Sequence, residues 1–263
     1  MRTLFNFALL GSTLMFSTVG ATMSLTAEQI ISKANMASYY AGDDGRAQAR
    51  MMIVDQNGNK QMRQFTILRK DIEDQGQQNM LVTFSRPTDV KGTVFRVEKH
   101  VEQDDNRWLY LPALDLVKRI SAGDKRTSFV GSHFFYEDVS GRNPQEDHFE
   151  LLGANNGLYQ LKAVPKDPST VEFSHYLVNI DQESFIPMEV TYFNKQGKAS
   201  RKMTVKKVKE VQGHVTVVHS RIDQLSDGSF TEMQFRNVKY DLGLPDSIFS
   251  ERSLRKEPTK WLK

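Results

Sequence analysis

From Arg46 to Tyr240 the chain is a succession of strand-length segments separated by turn signals, and this pattern restricts the fold more than any other feature. Arg46 to Asp55 and Lys60 to Lys70 flank Asn57-Gly58, a pair that tolerates positive φ and marks a tight hairpin. Asn79 to Ser85, Thr93 to Lys99 and the short Arg107 to Leu111 follow. The pattern resumes at His148 to Leu152, Leu158 to Val164, Glu172 to Asp181 and Ile186 to Asn194. It ends with Ala199 to Glu210, His214 to Gln224 and Phe230 to Tyr240. Gln196-Gly197, Gln212-Gly213 and Asp227-Gly228 supply short turns, so the later half reads as an antiparallel meander. Ile186, Met188, Val190 and Tyr192 alternate with more polar neighbours, as on a half-buried strand, whereas Met51 to Val54 and Met80 to Val82 are apolar on both faces. A twisted sheet of about ten strands must curl or close.

Two segments stand apart from the strands. Thr26 with Gln29 forms a capping box, and Ile30, Ile31, Ala34, Ala37 and Tyr40 recur at helical spacing until Gly42 and Gly45. This helix has an apolar stripe to cover. The second segment, Asp104 to Gly141, combines Trp108, a Leu111-Pro112 break, a basic run and an aromatic run. If the sheet curls over the helix and this stretch, its concave face becomes an apolar hollow. Phe95, Trp108, Tyr110, Phe129, Phe134 and Phe135 are the candidates to line or gate it, although aromatics also dominate ordinary cores. The eleven methionines fit either an adaptable apolar surface or plain core filling.

Arg2 followed by the uncharged, mostly apolar Leu4 to Val19, with Val19-Gly20-Ala21 at its end, is the pattern of a cleaved secretory signal peptide over residues 1–21. The run is somewhat short for a membrane span of roughly 20 residues. Residues 22–263 then form one domain, since no linker, low-complexity tract or repeat divides them. Cysteine is absent, so the exported chain holds together without disulfides and lacks the cysteine that a bacterial lipoprotein carries at its cleavage site. An exported protein, soluble once cleaved and without a lipid anchor, is expected. Loss of the leader removes one of 35 basic residues against 32 acidic ones, a balance that gives no reason to expect a nucleic-acid partner. The basic runs Arg201 to Lys209 and Arg252 to Lys263 read as solvated faces.

Catalytic patterns are thin. Gly131-Ser132-His133 is not a nucleophile elbow, and no phosphate loop or dinucleotide fingerprint occurs. None of the six histidines is spaced as a metal ligand pair; His214 and His219 point to opposite faces of a strand. His133 and Glu137, four residues apart, read as a surface pair on one helix face. No enzyme, cofactor or metal site is expected.

Several motifs carry a family resemblance. Arg86-Pro87-Thr88-Asp89-Val90-Lys91-Gly92-Thr93, then Trp108-Leu109-Tyr110-Leu111-Pro112-Ala113-Leu114, Lys118-Arg119-Ile120, Ser128-Phe129-Val130-Gly131-Ser132, Tyr136-Glu137-Asp138, and finally Leu244-Pro245 with Ile248-Phe249-Ser250 follow in order. Together they resemble the bacterial outer-membrane lipoprotein-sorting proteins of the LolA-like family, in a longer branch associated with RND/MMPL-type transporters. The resemblance implies a mainly β fold: an incomplete antiparallel β-barrel, LolA/LolB-like, closed by helices around a hydrophobic cavity. It implies a periplasmic chaperone that shields acyl chains of lipoproteins or lipids on the way to the outer membrane. A second implied role is that of an accessory adaptor of an RND/MMPL-type hydrophobe exporter, with Lys118-Arg119, Lys125-Arg126 or the tail from Arg252 as contacts. Leu111-Pro112 stands where the shorter carriers usually have Asp-Pro, which leaves lipoprotein, free lipid, a sterol-like molecule or another hydrophobe open as cargo.

Overall fold

The computed structural model describes residues 25–263. The expected signal peptide over residues 1–21 lies outside the described residues. The Thr26 capping box forms as read: Thr26 N donates to Gln29 Oε1 at 2.9 Å and Gln29 N to Thr26 Oγ1 at 3.3 Å, opening α1 (Ala27–Tyr39). Gly42, at φ +67°, lies in the turn that leads into the first strand.

The strands are β1 (Asp44–Val54), β2 (Lys60–Asp71), β3 (Gln78–Arg86), β4 (Val94–Lys99), β5 (Asn106–Leu111) and β6 (Leu116–Ile120). The short helix α2 (Tyr136–Ser140) precedes β7 (Asp147–Asn155), β8 (Leu158–Pro165), β9 (Phe173–Asp181) and β10 (Pro187–Asn194). Then come β11 (Ala199–Val211), β12 (His214–Gln224), β13 (Phe230–Tyr240) and a last short helix, α3 (Arg252–Arg255). All thirteen strands among the described residues belong to one sheet, in the order β6-β5-β4-β3-β2-β1-β13-β12-β11-β10-β9-β8-β7. Each neighbour is also the neighbour in sequence, except where β1 meets β13, Gly45 opposite Tyr240. The first and last strands therefore join in the middle, and the sheet's free edges are β6 and β7. The segment 121–146 passes between those edges.

The hairpins follow their turn residues. Asp55 Oδ1 accepts from Asn57 N at 2.8 Å and from Asn59 N at 2.9 Å, and Gly58 takes φ +82° between β1 and β2. One strand departs from expectation. Leu116–Ile120, read as part of a basic segment, is β6. Lys118-Arg119 obscures its alternation, but pairing with β5 sets Arg119 opposite Trp108 and Ile120 opposite Arg107. Strand preference there comes from the neighbour, not from the segment's own residues.

The sheet packs on both faces, which explains the strands that are apolar throughout. On β3, Met80 and Val82 join a core with Met51, Phe65, Phe95 and Phe129, while Leu81 between them packs against Leu244, Ile248, Phe249 and Leu254 of the C-terminal tail. The tail thus lies on the outer face, and Thr66 Oγ1 donates to Leu262 O at 3.3 Å. A second inner core joins Ala27, Ile30 and Ala34 of α1 to Leu161, Val178, Ile180 and Val190.

Candidate functional site

The segment 121–146 enters through the break between β6 and β7 and runs beneath the inner face. Ser128 bridges to Phe135, and Val130 (φ +47°) and Gly131 (φ +78°) turn the chain between them. The turn drives Phe129 into an aromatic nest, with ring centroids 5.5 Å from Phe95, 5.6 Å from Phe84 and 5.6 Å from Tyr136. Such tilted and edge contacts add to the area the rings bury. At the far end, His133 Nδ1 lies 2.8 Å from Thr231 Oγ1 of β13.

Ion pairs fasten the segment. Glu137, with a side chain 1% exposed, meets Arg126 at 2.6 Å, Arg142 at 3.2 Å and Lys125 at 3.4 Å. Burial opposes its charge, but Arg142, Arg126 and Lys125 outweigh it and hold the carboxyl down to about 2. Asp138 pairs with Arg201 of β11, Arg142 reaches Asp147 at 2.7 Å, and the Tyr176 hydroxyl donates to Asp147 at 2.9 Å. Arg126 also grips Glu172 at 2.6 Å. The network is internally matched, as buried charges must be.

Between this segment, α1 and the inner face of the sheet lies a pocket of about 420 Å³. Tyr39 and Ile31 line it from α1, Phe134 and Val139 from the crossing segment, and Met80, Tyr192, Met203 and Phe235 from the sheet. Its polar margin includes Arg69, Glu137 and Arg142. Arg69 is engaged with Asp71 at 3.0 Å and with Gly42 O at 2.8 Å, and the other two belong to the ion network. The volume falls within the roughly 300–1,000 Å³ of small-molecule sites.

The structure separates the six aromatics singled out from the sequence. Phe134 lines the pocket. Phe95 and Phe129 are fully buried in the nest beside it. Phe135 stacks under the Arg201 guanidinium at 4.2 Å and Arg126 at 5.1 Å. Trp108 and Tyr110 face the other way, against the C-terminal tail, where Arg96 covers Trp108 at 4.6 Å. Two expectations are corrected. Glu137 is not a surface partner of His133: Glu137 sits inside α2's cationic surround, and His133 precedes the helix and contacts Thr231. Lys125 and Arg126 are not exposed contacts, because pairing with Glu137, Glu146 and Glu172 draws both inward. Tyr39, Met203 and Phe235 line the pocket without being singled out by the sequence, and Tyr192 is marked there only as sharing a strand face with Val190; alternation marks a face of each strand without saying which face is hollow. Among the described residues no cluster of His, Cys, Asp or Glu is arranged to hold a metal ion. No helix among them is long and apolar enough to cross a membrane.

The architecture recurs in solved structures. A DUF1329 family protein from Desulfovibrio piger superposes with a TM-score of 0.78 at 29% identity, covering 86% of this chain and 97% of its own. A domain described as a putative outer membrane lipoprotein-sorting protein from Vibrio parahaemolyticus gives 0.79 at 25% identity, covering 88% and 98%. A LolA superfamily protein from Nitrosomonas europaea gives 0.67 at 17% identity, covering 87% and 99%, a likeness of fold. The fold is therefore of the LolA superfamily class: mainly β, one large unclosed antiparallel sheet with few helices. A family model described only as an uncharacterized protein matches residues 76–256, well over half of the chain. The chain belongs to the family this model describes, and shares its fold with the lipoprotein-sorting and LolA superfamily proteins above. No curated protein matches it.

Proposed function

We propose that the protein is a periplasmic carrier that shields acyl chains of lipoproteins or lipids on their way to the outer membrane. Residues 1–21 act as its cleaved export signal, and residues 22–263 form a single lipid-binding domain. The observation that carries this reading is the apolar pocket beneath a sheet left open between β6 and β7. In this reading the sheet is an incomplete barrel, and α1 and the segment 121–146 close it around the cavity. Shielding is worth about 0.8 kcal/mol per buried methylene, so about ten methylenes supply roughly 8 kcal/mol before ordering costs. Met80 and Met203 suit chains of varied shape, since thioethers repack readily. The task is physical shielding and requires no catalytic group.

The test is native mass spectrometry of the protein purified from a membrane-containing lysate, followed by titration of the delipidated form with a fluorescent fatty acid. A co-purifying hydrophobe, saturable binding and a mature mass beginning at Thr22 are expected. A protein that carries no hydrophobe and binds no acyl probe would refute the carrier. The exposed Lys118-Arg119 pair on edge strand β6 favours a second, compatible reading as the adaptor of an RND/MMPL-type exporter. Charge reversal there should then weaken co-purification with the transporter and leave acyl binding intact.

A further inference from the structure

The wall of the sheet is interrupted at a second place. β12 and β13 pair only from His219 opposite Gln234 to Asp223 opposite Phe230. Beyond that, His214 to Val217 stay with β11, and Phe235 to Tyr240 stay with β1. The cause is local. β13 carries a bulge in which Asn237 and Val238 stand opposite Ala47, with Asn237 at φ +51° and its Nδ2 donating to Gln48 Oε1 at 2.8 Å. Asparagine is among the few residues that accept this backbone region readily. The β11–β12 register shifts at a matching level, between Val205 and Val208. Bulges bend strands and re-aim them, so the two hairpins part.

The slit opens into the pocket: Val215, Thr216 and Val217 line it from one side, and Phe235, Val238 and Tyr240 from the other. Side chains clasp its far end. Gln212 Nε2 donates to Tyr240 O at 3.1 Å, Tyr240 N donates to Gln212 Oε1 at 2.9 Å, and the Thr216 and Tyr240 hydroxyls lie 2.8 Å apart. Outside, Lys206, Lys207 and Lys209 on β11 and Arg236 and Lys239 on β13 are exposed, against Glu210 and Asp241. The β6–β7 break contrasts with this: passage there has to disrupt the buried pairs of Lys125, Arg126 and Arg142 with Glu137, Glu146 and Asp147. Opening the slit breaks the Gln212–Tyr240–Thr216 clasp and the edge contact between the His214 and Tyr240 rings, 5.0 Å apart, and no buried ion pair named above.

Resting on the carrier reading above, the geometry points to the β12–β13 slit as the portal for the acyl chain, with the basic rim holding its anionic headgroup, carboxylate or phosphate. The chain has no cysteine, so a Val215→Cys/Val238→Cys pair can be bridged by a cleavable bismaleimide. Exchange of fluorescent parinaric acid is followed in the same variant before bridging, after bridging and after cleavage. A His133→Cys/Asp227→Cys pair, which pins the crossing segment to the sheet, is treated alike. Bridging the slit should slow exchange reversibly by about tenfold or more while the pinned segment exchanges normally. Lys207→Glu/Arg236→Glu/Lys239→Glu should weaken parinaric acid about tenfold and its uncharged methyl ester about twofold or less. A matching loss for lysophosphatidate would extend the rim to phosphate headgroups, and its absence would restrict the rim to carboxylates. Normal exchange across the bridged slit, with arrest in the pinned segment, would overturn the portal, and equal weakening of acid and ester would overturn the rim. A wild-type protein that binds neither probe would instead defeat the carrier reading itself.

Discussion

Glu137 shows how far one residue's role depends on its surroundings. In the unfolded chain its carboxyl titrates near the ordinary value of 4.5, and in the fold it is held at about 2. A depressed carboxyl stabilises the fold fully above its unfolded value, and that contribution fades as pH falls from about 4.5 through 2. The difference corresponds to on the order of 3 kcal/mol. Glu137→Gln leaves Arg126, Arg142 and Lys125 buried without their shared anion, and should cost about 3–5 kcal/mol at neutral pH. Urea titrations at pH 7 and pH 3 should show the loss at pH 7 and a smaller gap between mutant and wild type at pH 3. An unchanged gap at the two pH values would mean that Glu137 does not supply the acid sensitivity. At this scale the sequence identified the Tyr136-Glu137-Asp138 motif but not its work, because spacing along a chain carries no information about which charges a fold will enclose.

At the scale of elements, local chemistry was a good guide where the deciding interaction is local. The Thr26 capping box needs only residues three apart, and Thr26→Ala should cost about 1 kcal/mol by urea midpoint. A cost near zero would mean that packing of Ile30 and Ala34 alone sets the helix start. The hairpins at Asn57-Gly58 and Gln212-Gly213 likewise follow from residues that accept positive φ. β6 did not declare itself, since its pairing with β5 overrides a weak alternation. The C-terminal tail, read as a solvated basic run, instead buries Leu254 and half-buries Trp261 and Leu262 around Leu68, Leu81 and Val94. Deleting residues 244–263 should cost several kcal/mol, at roughly 1.5–3 per fully buried large apolar side chain, and expose dye-binding surface. Retention of the full unfolding midpoint would show the tail to be dispensable.

For the molecule as a whole, the proposed carrier role predicts that a ligand in the pocket is coupled to stability. A fatty acid at about a hundredfold over its Kd should add about 2.7 kcal/mol and raise Tm by about 5–10 °C. Val190→Trp, which projects an indole into the pocket lining, should abolish that rise while the apo protein still melts cooperatively. A rise equal to wild type would place the ligand elsewhere. By itself, the sequence determined the mainly β class, nearly all the strands, the short turns and the N-terminal helix, because these rest on periodicity and on neighbours a few residues apart. Only the tertiary structure decided that β1 pairs with β13, that the ring of strands breaks between β6 and β7, and that Trp108 and Tyr110 face the tail while Phe134 faces the pocket. Alternation tells which residues share a face of a strand; which face becomes the inside is settled by contacts between segments far apart in the chain.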